Sequence, residues 1–338
     1  MSRFFSIFGI LSLSIILIAG CGGDKESNSG GADVDGETYS ITISNSVEED
    51  SALHLGLMRF KEVAEEKSDG QLEVEVFSNA ELYASEREAV EAVQAGNIEM
   101  ASPATAPLTN FVEEFMILDL LFLFDDVDDA AAALDGELGD HLFASLEEYQ
   151  LKGLGWGTAG MTQLTNSTRP IESAEDFKGL KLRTMENNIH LDSLEELGAN
   201  PQPYAFGELY SALQQNIFDG MQTTAQLIES SKVYEVQEYM TVMDHSFTGE
   251  ALIINKEFYD SLPEDLQAVL DEAGGAFTEY EREVSKEFDA DAMELLSENL
   301  EVNELSDEAK DEIMEKLKPV YDKYEEEIGQ ELMDLARQ

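Results

Sequence analysis

Arg183 is the residue whose placement asks for a chemical role. It stands in KLRTMENNIH (181–190), at the end of a strand-like run and just before a polar stretch. The chain has 72 Asp and Glu against 20 Lys and Arg, so surface partners for an arginine abound. An arginine at the end of a buried strand therefore reads either as half of a structural ion pair or as a built-in anion site. A guanidinium offers a planar fork of donors that matches the two oxygens of a carboxylate. The residues alone leave these two readings level.

Other chemistry is hard to find. His54, His141, His190 and His245 are scattered, with no His-x-x-x-His and no cysteine cluster for a metal. There is no G-x-S-x-G, no P-loop and no G-x-G-x-x-G, and GLGWGTAG (153–160) lacks the lysine and the spacing of a phosphate loop. Carboxylate pairs carry no information in so acidic a chain. No catalytic residue, metal or cofactor is assigned, and the chain is not expected to be an enzyme. Its formal charge of −52 argues against nucleic acid, which needs a basic face. The acids are spread along the chain, which fits a solvated surface whose self-repulsion salt screens.

The sole cysteine, Cys21, excludes an intrachain disulfide. It follows MSRFFSIFGILSLSIILIAG, with Arg3 as a positive start and residues 4–18 as an apolar segment. IAGC matches the bacterial lipobox, in which the cysteine is lipidated and becomes the new N-terminus. Residues 1–20 are thus read as a lipoprotein signal peptide. The Gly-, Ser- and acid-rich residues 21–37 are read as a flexible tether. The mature chain is expected to lie outside the cell membrane, held to it by lipid without spanning it.

The elements that would carry Arg183 follow from periodicity. YSITIS (39–44) alternates and is β-branched, Leu53, Leu57, Phe60 and Ala64 recur at helical spacing, and GQLEVEVFS (70–78) alternates again. Residues 81–95 read as a helix and NIEMAS (97–102) as a short strand. This β-α-β-α-β run predicts a mostly parallel sheet covered by helices. FMILDLLFLF (115–124) is too short to span a membrane and belongs in a core. Residues 127–149 read as helical. LKGLGWG (151–157) and MTQLTNS (161–167) read as two strands joined by a small-residue link, a candidate crossing between domains. A second strand–helix series covers 171–224, and 250–257 reads as a returning strand. A long helix runs from Pro263 to Leu300 with an interruption at Gly274 and Gly275, and a last helix covers 307–336.

The fold expected is α/β, two lobes joined by extended crossings into a clamshell that ends in long helices. Lobe I takes 38–160 with 249–288, and lobe II takes 161–248 with 289–338. Ligands of such folds sit outside the carboxyl ends of strands and between domains. That rule singles out Ser46 after the first strand, Ser102 and Thr105 after the third, and Phe206 after the proline-paired NPQPYA. Phe247 and Glu250 flank the return crossing. Trp156 lies on the first crossing and is expected to pack there.

GLKLRTMEN, LGANPQPYAFGELYSALQQNIFDG and YEVQEYMTVMDH together resemble the DctP-type substrate-binding proteins of TRAP (tripartite ATP-independent periplasmic) transporters. The resemblance spans about 39–338 and is most specific over 179–220. It implies a periplasmic-binding-protein-like clamshell with a long bracing helix, an organic carboxylate as ligand, and a sodium-coupled membrane permease as partner. It places Arg183 on the ligand carboxylate. Many members carry a second arginine in G-F-R-x-x-T-N-S, where this chain has Thr162 in GMTQLTNS. Many follow DG with Q-E-N-P, whose asparagine contacts the ligand; here DGMQTT puts Gln222 and Thr223 at the corresponding places. The ligand set implied is therefore less cationic. Ectoine-binding members also lack the second arginine and use an acidic residue near the first strand, so Glu48 and Glu49 are candidates for meeting a zwitterion or else form the acidic first turn of the helix that follows. Gln226 and Leu227 fall where those members have aromatics.

Overall fold

The β-α-β-α-β run expected from Tyr39 forms in that order in a computed structural model that describes residues 38–337. The signal peptide, the tether and Cys21 lie outside the described residues. β1 (Tyr39–Ser44) pairs in parallel with β2 (Leu72–Phe77) and with β3 (Met100–Ala101). The helix Ala52–Lys67 between β1 and β2 starts where the Ser51 side chain accepts from the His54 N–H, and it buries Leu53, Leu57, Phe60 and Ala64. The helix Glu86–Gln94 starts the same way, at Ser85. Glu48 and Glu49 precede the first helix and are not part of its first turn.

β4 (Leu151–Asn166) is one continuous strand of 16 residues, not the two that the small-residue link implied. Its register shifts between Gly153 and Gly155 and between Thr158 and Gly160, so bulges absorb the link without ending the strand. Gly160 takes φ +115°, which a glycine adopts without strain. Beyond β4 come β5 (Lys181–Thr184), β6 (Asn200–Pro203), β7 (Gly220–Thr224), β8 (Tyr239–Val242), β9 (Phe247–Asn255) and β10 (Glu301–Glu304). The main sheet order is β2-β1-β3-β9-β4-β7-β5-β6. β4 pairs with β9 from Leu151 to Met161 and with β7 from Thr162 to Asn166, so a single strand belongs to both halves of the sheet. The parallel pattern holds among β1, β2 and β3 and among β5, β6 and β7, while every pairing of β4 is antiparallel. β8 and β10 were not legible in the sequence; EVNE has no apolar alternation and forms a strand by pairing with β8.

Three helical expectations are corrected. Residues 127–149 make two α-helices, Val127–Leu134 and Glu137–Leu146, separated at Asp135 and Gly136. The last helix divides into Asp307–Ile328 and Gln330–Ala336 at Gly329, whose φ of +88° stops the first. The helix Glu264–Asn299 runs unbroken for 36 residues through Gly274 and Gly275. Gly274 is where this helix touches β4: a Cβ there would lie 2.1 Å from the Leu154 carbonyl oxygen. The missing side chain permits contact and does not break the helix. Residues 115–124 are largely buried, with Phe115, Ile117 and Leu118 in the core, and no helix among the described residues is long and apolar enough to cross a membrane.

The two glycines give a paired test. Gly274→Ala must push the helix off β4 and is expected to cost about 1–3 kcal/mol of stability, as overpacking does. A Cβ at Gly275 meets nothing within 4 Å, so Gly275→Ala is expected to be neutral or stabilising. Thermal unfolding followed by circular dichroism reads both; equal midpoints for the two variants would refute the contact.

Candidate functional site

Residues that follow the carboxyl ends of strands from both halves meet around one cavity. Ser46 and Val47 follow β1, Ala104 follows β3, and Glu86 opens the helix Glu86–Gln94. Facing them are Arg183 at the end of β5, Tyr204 and Phe206 after β6, and Thr223 on β7. Thr248 and Glu250 enter from β9.

Arg183 is 3 % exposed. Its Nε donates to the Tyr204 carbonyl at 2.9 Å, and its guanidinium carbon lies 5.9 Å from the centre of the Phe206 ring. Among the described residues no carboxylate forms an ion pair with it, so the structural ion-pair reading is not what is seen. Burial lowers its pKa to about 10, against the pull of the nearby Glu86, and it stays charged at neutral pH. Glu86 is itself occupied: its Oε1 accepts from Ser46 Oγ at 2.9 Å and from the Ala104 N–H at 3.4 Å. Burial raises the Glu86 pKa. Arg87, at the rim, is half exposed and pairs with Glu91.

Of the residues singled out in the sequence, Ser46, Arg183, Phe206, Thr223 and Glu250 line this cavity together. The others lie elsewhere. Gln222 points to the opposite face of β7 from Thr223, as strand alternation requires. There it donates to Thr184 Oγ1 at 2.9 Å and accepts from His245 Nε2 at 2.9 Å. Thr162 is fully buried with its hydroxyl 3.0 Å from that of Thr248, which puts it one layer behind the lining. Thr105 is buried behind Gly249. Phe247 is a core residue, edge-on to Phe124 at 6.0 Å. Ser102 lies in a smaller neighbouring cavity with Asn45. Glu49 is exposed, and neither it nor Glu48 lines the cavity, which removes the contact on which the zwitterion reading depended. Trp156 stacks on Phe143 at 3.9 Å and is packing, as expected.

Sequence reasoning passed over Glu86 and Tyr204. The strand-end rule would have reached Glu86 had it been applied to β2, because the loop after β2 leads to that helix. Tyr204 contributes its backbone carbonyl to Arg183, which no side-chain pattern announces.

Strands from both halves of the sheet around one cavity that holds a buried guanidinium make the architecture of a solute-binding protein. Comparison with known proteins gives the family. The family model described as bacterial extracellular solute-binding protein, family 7 (DctP) matches residues 43–327, and the chain belongs to that family. It is 34% identical over 293 residues to the C4-dicarboxylate-binding protein DctB of Bacillus subtilis, covering 86% of this chain and 83% of that one. It resembles the solved sugar acid binding protein DctPAm of Advenella mimigardefordensis in complex with galactonate, with a TM-score of 0.86, 32% identity, and coverage of 90% of this chain and 99% of that one. A TRAP periplasmic solute-binding protein of Shewanella oneidensis with bound succinate matches with a TM-score of 0.85, 28% identity, and coverage of 89% and 98%.

The layer behind Arg183 generates a pH prediction. Burial lowers the pKa of His245 to about 4. Between that value and the ordinary 6.5, the unfolded chain binds a proton that the folded chain refuses. His245 therefore lowers stability as pH falls through this window, by about 1.4 kcal/mol per pH unit at most. His245→Gln abolishes that dependence, so the stability difference between wild type and variant is expected to shift towards the variant from pH 7 to pH 5. Urea unfolding at both pH values measures it, and a constant difference would refute a neutral buried His245.

Proposed function

We propose that this protein captures a small organic carboxylate outside the cell membrane and delivers it to a TRAP-type secondary transporter. The observation that carries the reading is Arg183: a buried guanidinium in an inter-lobe cavity, with no carboxylate paired to it among the described residues. A ligand carboxylate supplies the missing counter-charge through a two-pronged contact. Thr223 and Ser46 add hydroxyls from opposite sides of the cavity, and Phe206 covers the guanidinium.

The ligand class is narrowed by charge. Glu86 and Glu250 line the same cavity as Arg183, and Thr162 stands where a second arginine would be. A second carboxylate on the ligand would face acidic groups, whereas hydroxyls would find hydrogen-bond partners there. This favours a hydroxylated monocarboxylate of the sugar-acid kind over a C4-dicarboxylate.

The cycle we infer is hinge closure about β4 and β9. The lobes are assigned as 38–160 with 249–288 and 161–248 with 289–338. The change of β4's partner from β9 to β7 after Met161 supports that division. Docking of the carboxylate on Arg183 draws the lobes together, and the permease subunits recognise the closed form. Cys21 is the proposed lipid attachment, holding the protein at the outer face of the membrane.

Calorimetric titration with D-galactonate and with succinate tests the reading. D-galactonate is expected to bind more tightly than succinate. Arg183→Ala is expected to lose about 2–5 kcal/mol of binding, roughly 30-fold or more in Kd, with an unchanged circular dichroism spectrum. Binding by Arg183→Ala equal to wild type would sink the assignment.

A further inference from the structure

The floor of the cavity contains a second buried group that the carboxylate-capture reading does not use. Glu250, on β9, is 4 % exposed and lines the cavity. Glu281, on the helix Glu264–Asn299, is fully buried beneath it. Gly157 of β4 is the register partner of Glu250. A Cβ at Gly157 would lie 3.2 Å from Glu250 Oε2 and 3.1 Å from Glu281 Oε2. The two carboxyls thus converge on one point, beside a strand position that has no side chain.

The hydrogen bonding around them is incomplete. Glu281 Oε2 accepts from the Thr158 N–H at 2.8 Å. Glu281 Oε1 and Glu250 Oε2 are buried and have no donor among the described residues. Nearby charges do not compensate. Glu250 feels Glu281 from the long helix and Glu86 from the helix Glu86–Gln94, both negative. Arg282 attracts Glu281 weakly but hydrogen-bonds to Asp135, and Arg183 sits across the cavity from Glu250. Two dry carboxylates without a cation cannot both stay ionised, and a proton held between them supplies the missing donor.

We propose that Glu250 and Glu281 hold at least one proton between them at neutral pH, and that Glu250, facing the cavity as a neutral acid, is a specificity-determining residue. It offers an O–H and a carbonyl to a ligand hydroxyl, on the reading that the cavity takes a hydroxylated monocarboxylate. Loss of the shared proton turns the floor into a negative charge that repels the anion. Ligand capture is thereby tied to pH. Burial, and for Glu250 the neighbouring Glu281, raises both carboxyls, that of Glu281 to about 8. Affinity is therefore expected to hold below that pH and to fall above it.

Two measurements test this, and only the second needs a ligand. An infrared difference spectrum at neutral pH, wild type minus Glu250→Gln/Glu281→Gln, is expected to show a protonated-carboxyl carbonyl band. A difference spectrum without that band overturns the shared proton whatever the cavity binds. Titration of D-galactonate at about pH 7 and pH 9 brackets the Glu281 value. Wild-type affinity is expected to drop about tenfold across it, since one proton unit is a tenfold effect. Glu250→Gln, which keeps one donor and one acceptor but no titrating proton, is expected to weaken binding at the lower pH, and the double variant Glu250→Gln/Glu281→Gln, whose floor cannot ionise, is expected to lose the alkaline drop. An alkaline drop of the same size in the double variant overturns the role of the pair in binding. Failure of wild type to bind D-galactonate, succinate, D-glucuronate or D-erythronate at any pH overturns the carboxylate reading and the specificity role with it, while the infrared result still decides the proton.

Discussion

A guanidinium removed from water keeps its charge only if something replaces its hydration, and Arg183 is given very little. It has one backbone carbonyl, one aromatic ring and the field of a carboxylate already bound to a serine and a backbone N–H. The deficit is specific in direction, because the free donors of the fork face the cavity. Much of the surrounding construction keeps it so. β5 is buried on either side of Arg183 by pairing with β6 and β7, which prevents the side chain from swinging out to water. Behind it, the Thr184–Gln222–His245 chain of hydrogen bonds fixes the register of β5 against β7.

The two lobes are not separate bodies joined by a linker. β4 gives its first part to β9 and its last part to β7, and the long helix lies against it through Gly274. The ladder is irregular at the two register shifts of β4, which is where the proposed hinge closure would concentrate its movement. Thr158 and Gly160 mark the second of these, and the Thr158 N–H is bound by Glu281. The buried acid pair thus touches both the floor of the cavity and a bulge in the shared strand.

How much of this was legible in the sequence depended on the kind of contact. Arg183, Ser46 and Phe206 were reachable because strand ends are a local property, and Thr223 through the resemblance of DGMQTT to the family pattern. Gln222 was misplaced for a local reason: neighbours on a strand face opposite ways, and the sequence did not say which of the two faced the ligand. The single β4 was read as two because four glycines look like a break until a partner strand holds them extended. Gly274 and Gly275 looked like an interruption because close approach to β4 is a tertiary fact. Glu281 had no sequence signal, and Glu250 stood out only as flanking the return crossing. In a chain with 72 acids, nothing distinguishes the two that share a buried point from those that face solvent.

The exposed carboxylates that make the net charge −52 have a consequence for the order of events in capture. An approaching organic anion meets a repulsive potential before it meets Arg183. Salt sets the reach of that potential, roughly 10 Å at 0.1 M and 3 Å at 1 M ionic strength. In dilute medium the surface works as a barrier to encounter, so association is slow even though the bound state is favourable. In brine the barrier collapses to the last few ångströms, and the guanidinium's attraction is no longer masked during approach. The same residues therefore make the rate of encounter a function of salinity.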